Sequence, residues 1–210
     1  MPASDTYPSR PQTGLYLITP PVIKDQESFV EQATRLLETG QLSALQIRVK
    51  TGQNNQADKA MSAFLANALQ PIARANDSLL ILNDEVELAR ELGVDGVHIG
   101  QGDMPVKEAR ALLPEEMLIG ITCHNSRHLG MQAGEQGADY VAFGAFFPSQ
   151  TKLVKYQADT ELLSWWQELM ELPCVAIGGI TVDTASEIAR AGADHIAVSH
   201  AVWQLSLIHI

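Results

Sequence analysis

The sequence predicts one α/β domain in which eight parallel strands alternate with helices and close into a (β/α)8, or TIM, barrel. Three observations lead there. First, the octapeptide Gly93-Val94-Asp95-Gly96-Val97-His98-Ile99-Gly100 returns as Gly137-Ala138-Asp139-Tyr140-Val141-Ala142-Phe143-Gly144 and as Gly192-Ala193-Asp194-His195-Ile196-Ala197-Val198-Ser199. In each copy a glycine suited to ending a helix in the left-handed conformation precedes an aspartate that opens a short apolar run. The starts at 93, 137 and 192 are separated by one or two βα units, not by a short solenoid period. Second, the apolar runs are mostly continuous, as in parallel strands buried on both faces. Third, 210 residues suffice for one well-buried core and are few for two.

The elements follow in order. Strands are expected at 15–19, 44–49, 79–83, 96–99, 118–123, 140–146, 174–178 and 195–199. The first turn, Thr19-Pro20-Pro21, lacks the glycines of a dinucleotide-binding open sheet, which favours the barrel. Phe29, Val30, Ala33, Leu36 and Leu37 share a helical face before Gly40, and Met61, Phe64, Leu65, Ala68, Leu69 and Ile72 form the clearest amphipathic stripe. Weaker helical patterns cover 86–92, 106–113, 129–133, 162–169 and 185–189. Residues 1–13 read as a polar lead-in without a secretory apolar segment, 14–203 as the barrel, and 204–210 as an atypical apolar tail.

Composition narrows the function. A net charge of −11 disfavours nucleic-acid binding, and any anionic substrate then needs local cations, backbone N–H groups or a metal. No run approaches the roughly 20 apolar residues of a membrane span. Cys123 and Cys174 lie inside apolar runs, so buried free thiols and a reducing cytoplasm are expected. Homo-oligomerisation is open at this level.

Polar residues just past barrel strands line the active site in this architecture. Gln46, Arg48 and Lys50 alternate along the second strand and point to one side. Polar groups on a buried strand are costly unless they meet a ligand or partner, and an Arg–Lys pair suits a diphosphate. The alternative is an edge strand with a solvated face. Asp84 and Asp103 follow adjacent strands and could share Mg²⁺ with phosphate oxygens, although each taken singly reads as a helix cap. Thr122 and His124 end the fifth strand, Ser149, Gln150, Thr151 and Lys152 follow the sixth, and Gly178-Gly179 and Ser199-His200 follow the seventh and eighth. That last region is where barrels hold phosphate on backbone amides. His98, His128 and His195 read as satisfied structural groups, with His124 a rim residue of interest.

Five stretches in register resemble thiamine-phosphate synthase. They are Gln46-Ile47-Arg48-Val49-Lys50, Asn83-Asp84, Gly96 through Pro105, Gly144 through Lys152, and Ala176 through Thr181, with the likeness spanning 14–203. The resemblance implies an Mg²⁺-assisted transferase. It condenses 4-amino-2-methyl-5-(diphosphooxymethyl)pyrimidine with a thiazole phosphate, by way of a pyrimidine cation, into thiamine phosphate and pyrophosphate. Gln46, Ile47, Arg48, Val49, Lys50, Asn83, Thr122 and Lys152 would hold the pyrimidine diphosphate, with Lys50, Lys152 and Arg48 assisting its departure. Ser149, Gln150, Thr151, Gly179, Ser199 and His200 would hold the thiazole phosphate, and Asp84 and Asp103 the metal.

Three departures stand out. Ser149 replaces a frequent Thr, and His200 replaces a small residue and could crowd the phosphate pocket. The ending Leu205-Ser206-Leu207-Ile208-His209-Ile210 resembles translated adapter read-through. The native end is therefore expected to be missing and the last helix truncated, leaving apolar surface over the eighth and first strands. A thiazole tautomerase on the same barrel, or a non-catalytic phosphate-ligand sensor, are the alternative readings.

Overall fold

The computed structural model describes residues 12–51, 56–148 and 155–204. The strands are β1 (Gly14–Ile18), β2 (Leu42–Ile47), β3 (Leu79–Asn83), β4 (Gly96–Ile99), β5 (Leu118–His124), β6 (Tyr140–Phe143), β7 (Cys174–Ile177) and β8 (His195–Val198). Between and after them run α1 (Gln26–Leu37), α2 (Lys59–Ala75), α3 (Val86–Leu92), α4 (Val106–Leu112), α5 (Arg127–Glu135), α6 (Thr160–Leu169), α7 (Val182–Ala191) and α8 (His200–Trp203). The strands pair in chain order and β8 closes on β1, giving the closed parallel barrel that the sequence predicts.

The continuous apolar runs are explained by two cores. Outward-facing Leu17, Leu45, Ile47, Leu80, Leu82, Val97 and Ile99 pack under the helices. Inward-facing Tyr16, Ile18, Ala44, Ile81, Tyr140, Ala142, Val175 and Ala197 fill the barrel. A strand buried on both faces has no polar alternate positions to show. Inside the barrel, large and small residues interlock. A side chain at Gly120 would place its first carbon 1.9 Å from Cζ of Tyr140, so the tyrosine ring occupies the room a β5 side chain would need.

Two strands, β2 and β6, differ from expectation by more than one residue at an end. β2 ends at Ile47, not at residue 49, because the Thr19 hydroxyl accepts from Arg48 N at 2.8 Å and Pro21 O accepts from Lys50 N at 2.8 Å. The β1–α1 loop thus takes over the hydrogen bonds that a longer strand would have made. β6 ends at Phe143, not at residue 146, as Ala145 N turns to Tyr156 O. The α2 stripe is also rotated. Leu65 and Leu69 are fully buried, but the closest faces are Ser62, Ala66 and Ala73, while Phe64 is 42% exposed. Small residues let this helix sit tight on the sheet, which turns Phe64 outward.

The sequence repeat has a structural meaning. In each copy the aspartate carboxylate accepts a hydrogen bond from the backbone at the foot of the preceding strand: Leu80 N to Asp95 at 2.8 Å, Ile119 N to Asp139 at 2.7 Å, and Cys174 N to Asp194 at 2.8 Å. The glycines before them take positive φ at 62°, 93° and 111°, the left-handed turn that brings chain from helix back to strand. Arg110 pairs with Asp139 and Arg74 approaches Asp95 at 3.7 Å. These clamps lie at the N-terminal end of the barrel, opposite the strand ends that carry the polar set.

Cys123 and Cys174 are buried free thiols, as expected, and burial pushes both up to about 12. Thr13, assigned by sequence to the lead-in, already belongs to the barrel through its hydroxyl bond to Ala193 O at 3.1 Å. In α8 the Trp203 indole N–H donates to Ile18 O at 2.7 Å and its ring meets Phe29 at 4.8 Å. This short helix therefore ties β8 back to β1 and α1. Residues 205–210 of the tail lie outside the described residues. No described helix is long and apolar enough to cross a membrane.

Replacing Asp194 with Ala removes the acceptor for Cys174 N–H and is expected to cost about 1–3 kcal/mol. Urea unfolding midpoints measure this; the exposed Glu171→Ala should stay within about 0.5 kcal/mol of the parent.

Candidate active site

The described residues among those expected at the strand ends lie around one mouth of the barrel. Gln46 faces inward and is 2% exposed, and its side-chain amide has no hydrogen-bond partner among the described residues. Lys50, just past β2, sends Nζ across to Asp84 Oδ2 at 2.8 Å, with side chains only 8% and 26% exposed. Asp84 is aimed by its backbone. It follows Asn83 with φ of 66°, and its N–H donates to His98 O at 2.8 Å. His124, at the end of β5, has φ of 54°. Non-glycine residues in this region cost energy and concentrate at functional sites, and both sit on this rim.

Asp103 comes from the β4–α4 loop, where its Oδ2 accepts from Gly100 N at 2.8 Å and closes the turn. Partial burial raises the proton affinity of its carboxyl, and the neighbouring Asp84 carboxylate adds to the rise. Burial lowers the Arg48 guanidinium from its usual value, opposed by attraction to Asp84. Two carboxylates and two cations thus share one half-buried mouth. Asp84 and Asp103 are the pair that could hold a metal here; no group of three or more His, Cys, Asp or Glu able to do so occurs among the described residues. Two carboxylates with the remaining positions left to water and substrate oxygens is the ligand economy that suits Mg²⁺.

Below this mouth lies a hydrogen-bonded column that reading by strand ends did not find. His98 is half-buried, with Nδ1 3.0 Å from the Tyr140 hydroxyl and Nε2 2.9 Å from the Thr122 hydroxyl. Tyr140 is in turn 2.9 Å from the Tyr16 hydroxyl. Burial pushes His98 down to about 4, so the imidazole is neutral near pH 7. Reading His98 as a satisfied core group was correct, but Tyr16 and Tyr140 gave no motif. Their inward parity on β1 and β6 was the only available signal. Gln101 completes the support of Thr122 by donating to its carbonyl at 2.8 Å.

The second half of the mouth is formed by β7 and β8. Gly178 and Gly179 have φ of 102° and 66°. A side chain at Gly179 would strike Pro148 O at 2.3 Å, so the turn after β7 lies flat against the chain leaving β6. Ser199 begins α8, and His200 is exposed. Tyr156, which the sequence did not single out, stacks on His124 at 4.3 Å, and Asn125 holds Gln157 O at 3.0 Å. Ser149, Gln150, Thr151 and Lys152 lie outside the described residues. Asn83 and Thr122 border the mouth from β3 and β5, while Ile47 and Val49 are buried among apolar residues and contribute backbone and packing.

Residues 15–202 match the family described as thiamine monophosphate synthase. The chain belongs to that family. It is an enzyme of the family, a transferase of thiamine biosynthesis. It is 50% identical over 189 residues to the thiamine-phosphate synthase of Rhodospirillum centenum, covering 90% of this chain and 88% of that protein. It is also 50% identical over 200 residues to that of Hyphomonas neptunium, covering 95% and 90%. Among solved structures, the thiamine phosphate pyrophosphorylase from Pyrococcus furiosus superposes with a TM-score of 0.77 at 32% identity, covering 92% of this chain and 88% of that one. The (S)-3-O-geranylgeranylglyceryl phosphate synthase from Thermoplasma acidophilum, at 15% identity and a TM-score of 0.67 over 95% and 90% of the two chains, shares the fold.

His98 makes a pH prediction for this family member. Its folded value, about 4, lies below the roughly 6.5 of a free histidine, so the unfolded chain binds the proton first. The stability that this neutral histidine contributes is complete above pH 6.5 and is lost as pH falls towards 4. Between pH 7 and pH 5 the parent should lose about 2 kcal/mol more than His98→Asn, measured by urea unfolding. Equal losses would mean that His98 is protonated in the fold.

Proposed function

We propose that the chain joins 4-amino-2-methyl-5-(diphosphooxymethyl)pyrimidine to a thiazole phosphate, yielding thiamine phosphate and pyrophosphate with Mg²⁺. One observation carries the reading: Arg48, Lys50, Asp84 and Asp103 converge at the C-terminal mouth of the barrel, with Lys50 2.8 Å from Asp84. Such a set suits a diphosphate bound together with a divalent cation. It has no obvious use in a tautomerase, which has no leaving diphosphate to hold.

The thiazole nitrogen supplies the electron pair for the new N–C bond, so no protein nucleophile is required. The methylene C–O bond breaks and its electrons leave with pyrophosphate. Breaking that bond first gives a pyrimidine methylene cation, which the thiazole then captures. Mg²⁺, held by Asp84 and Asp103, supplies positive charge to the diphosphate when bound. Lys50 and Arg48 add charge from β2, where low solvent exposure strengthens their effect. Lys152 is assigned the same task from the β6 side. Gln46, with an amide lacking a partner among the described residues, and Thr122 hold the pyrimidine, with Asn83, Ile47 and Val49 completing that wall. Gly179, the amides of Ser199 and His200, and Ser149, Gln150 and Thr151 hold the thiazole phosphate. Bringing the two substrates together in line supplies much of the acceleration.

The test is pyrophosphate release with both substrates, with and without Mg²⁺. Asp103→Asn should lower kcat by about 100-fold or more with unchanged folding, because Asp103 is exposed. Asp84→Asn should lose activity to a similar degree and also lose about 3 kcal/mol of stability, as Lys50 is left buried without its partner. Absence of pyrophosphate release by the parent under every condition would overturn the synthase reading.

A further inference from the structure

The column beneath the mouth contains more information than its distances. Tyr16, Tyr140, His98 and Thr122 are linked hydroxyl to hydroxyl at 2.9 Å, hydroxyl to Nδ1 at 3.0 Å, and Nε2 to hydroxyl at 2.9 Å. Each hydroxyl carries one proton and a neutral imidazole carries one N–H, so only two orders of donation satisfy all three links.

In the first order His98 Nδ1–H donates to Tyr140, Tyr140 donates to Tyr16, and Thr122 donates down to Nε2. The Tyr16 proton is then left over at the buried end. In the second order Tyr16 donates to Tyr140, Tyr140 donates to Nδ1, and Nε2–H donates to Thr122. The proton left over is then that of Thr122, at the mouth.

The two orders differ in where the unpaired proton sits. Tyr16 and Tyr140 are only 5% and 8% exposed. Among the described residues, the Tyr16 hydroxyl has Tyr140 as its one hydrogen-bond partner. Ser43, Asp139 and His195 border the cavity beside Tyr16 and make no hydrogen bond to it. An unsatisfied buried O–H costs about 1–3 kcal/mol, which is roughly a tenfold bias or more towards the second order. At the mouth the unpaired Thr122 proton has a substrate to meet.

We infer that the column fixes His98 as the Nε2–H tautomer and makes the Thr122 hydroxyl a hydrogen-bond donor, so that this site recognises a heterocycle through an acceptor ring nitrogen and not through its amino group. The inference rests on the proposed pyrimidine site. It assigns His98 and Tyr140 as positioning residues, acting through Thr122.

The test has two independent readouts. In the ¹⁵N-labelled full chain without substrate, above neutral pH, long-range ¹H–¹⁵N spectra should show His98 Nε2 protonated and Nδ1 bare. The opposite tautomer, or an even mixture, would overturn the inference whatever the enzyme catalyses. Tyr140→Phe removes the donor to Nδ1, and with it the bias, while keeping the ring. His98 should become a mixture of tautomers and KM for the pyrimidine diphosphate should rise about twofold, with KM for the thiazole phosphate unchanged. If Tyr140→Phe shifts the tautomer while both KM values stay at the parent's level, Thr122 does not read the pyrimidine through this proton and the inference fails. Tyr16→Phe, in which the first order would strand the Tyr140 proton instead, should keep the Nε2–H tautomer; a shift towards Nδ1–H there would overturn the inference. A parent chain without synthase activity but with the expected tautomer would defeat the synthase reading and leave the column's polarity standing.

Discussion

The pairing of β8 with β1 is the constraint from which the rest of the molecule follows. Once the ring closes, every strand's C-terminal end must point to the same mouth, and residues far apart in sequence are delivered to one place. Closure asks for bare backbone at the seam. A side chain on Gly14 would meet Ser43 Oγ at 2.3 Å and His195 at 2.5 Å, so the first residue of β1 can be little but glycine. Trp203 locks the same seam from outside by donating to Ile18 O at 2.7 Å. Lys50 and Asp84 then face each other because β2 and β3 are neighbours in register, with Gln46 opposite Ile81.

Electrostatics follows from this geometry. The chain carries a net charge of −11, yet its substrate-facing mouth holds Arg48 and Lys50 in partial burial. A charge in a low-dielectric wall counts for more than one in water. Two half-buried cations can therefore outweigh a larger number of solvated surface carboxylates. The acidic pair at the same mouth limits the excess of positive charge.

The barrel was legible in the sequence because double burial writes itself as uninterrupted apolar runs, and because the Gly-x-Asp junction is stated three times. What those aspartates do was not legible, since a carboxylate reaching back to the preceding strand has no signature beyond its position. The end of β2 was misplaced for a similar reason: the Thr19 hydroxyl that captures Arg48 N is 29 residues away. Phe64 was misread because periodicity ranks residues by hydrophobicity, whereas α2 packs through Ser62, Ala66 and Ala73. At the site, Gln46, Arg48, Lys50, Asp84 and Asp103 were visible as polar residues at apolar strand ends. Tyr16 and Tyr140 were not, for an inward tyrosine looks like any core aromatic until its hydroxyl finds a partner 124 residues off.

The aspartate clamps also have a kinetic meaning. They join residues only 15, 20 and 20 positions apart, so each closes a small loop at modest entropic cost. The tie from Trp203 to Ile18 spans 185 positions. Because loop-closure entropy grows only logarithmically, that long tie costs just about 2 kcal/mol more than a clamp in an unstructured chain. With the βα units already clamped the effective loop is shorter still. The ring is thereby assembled from locally closed pieces, and its one distant junction comes at nearly the cost of a local one.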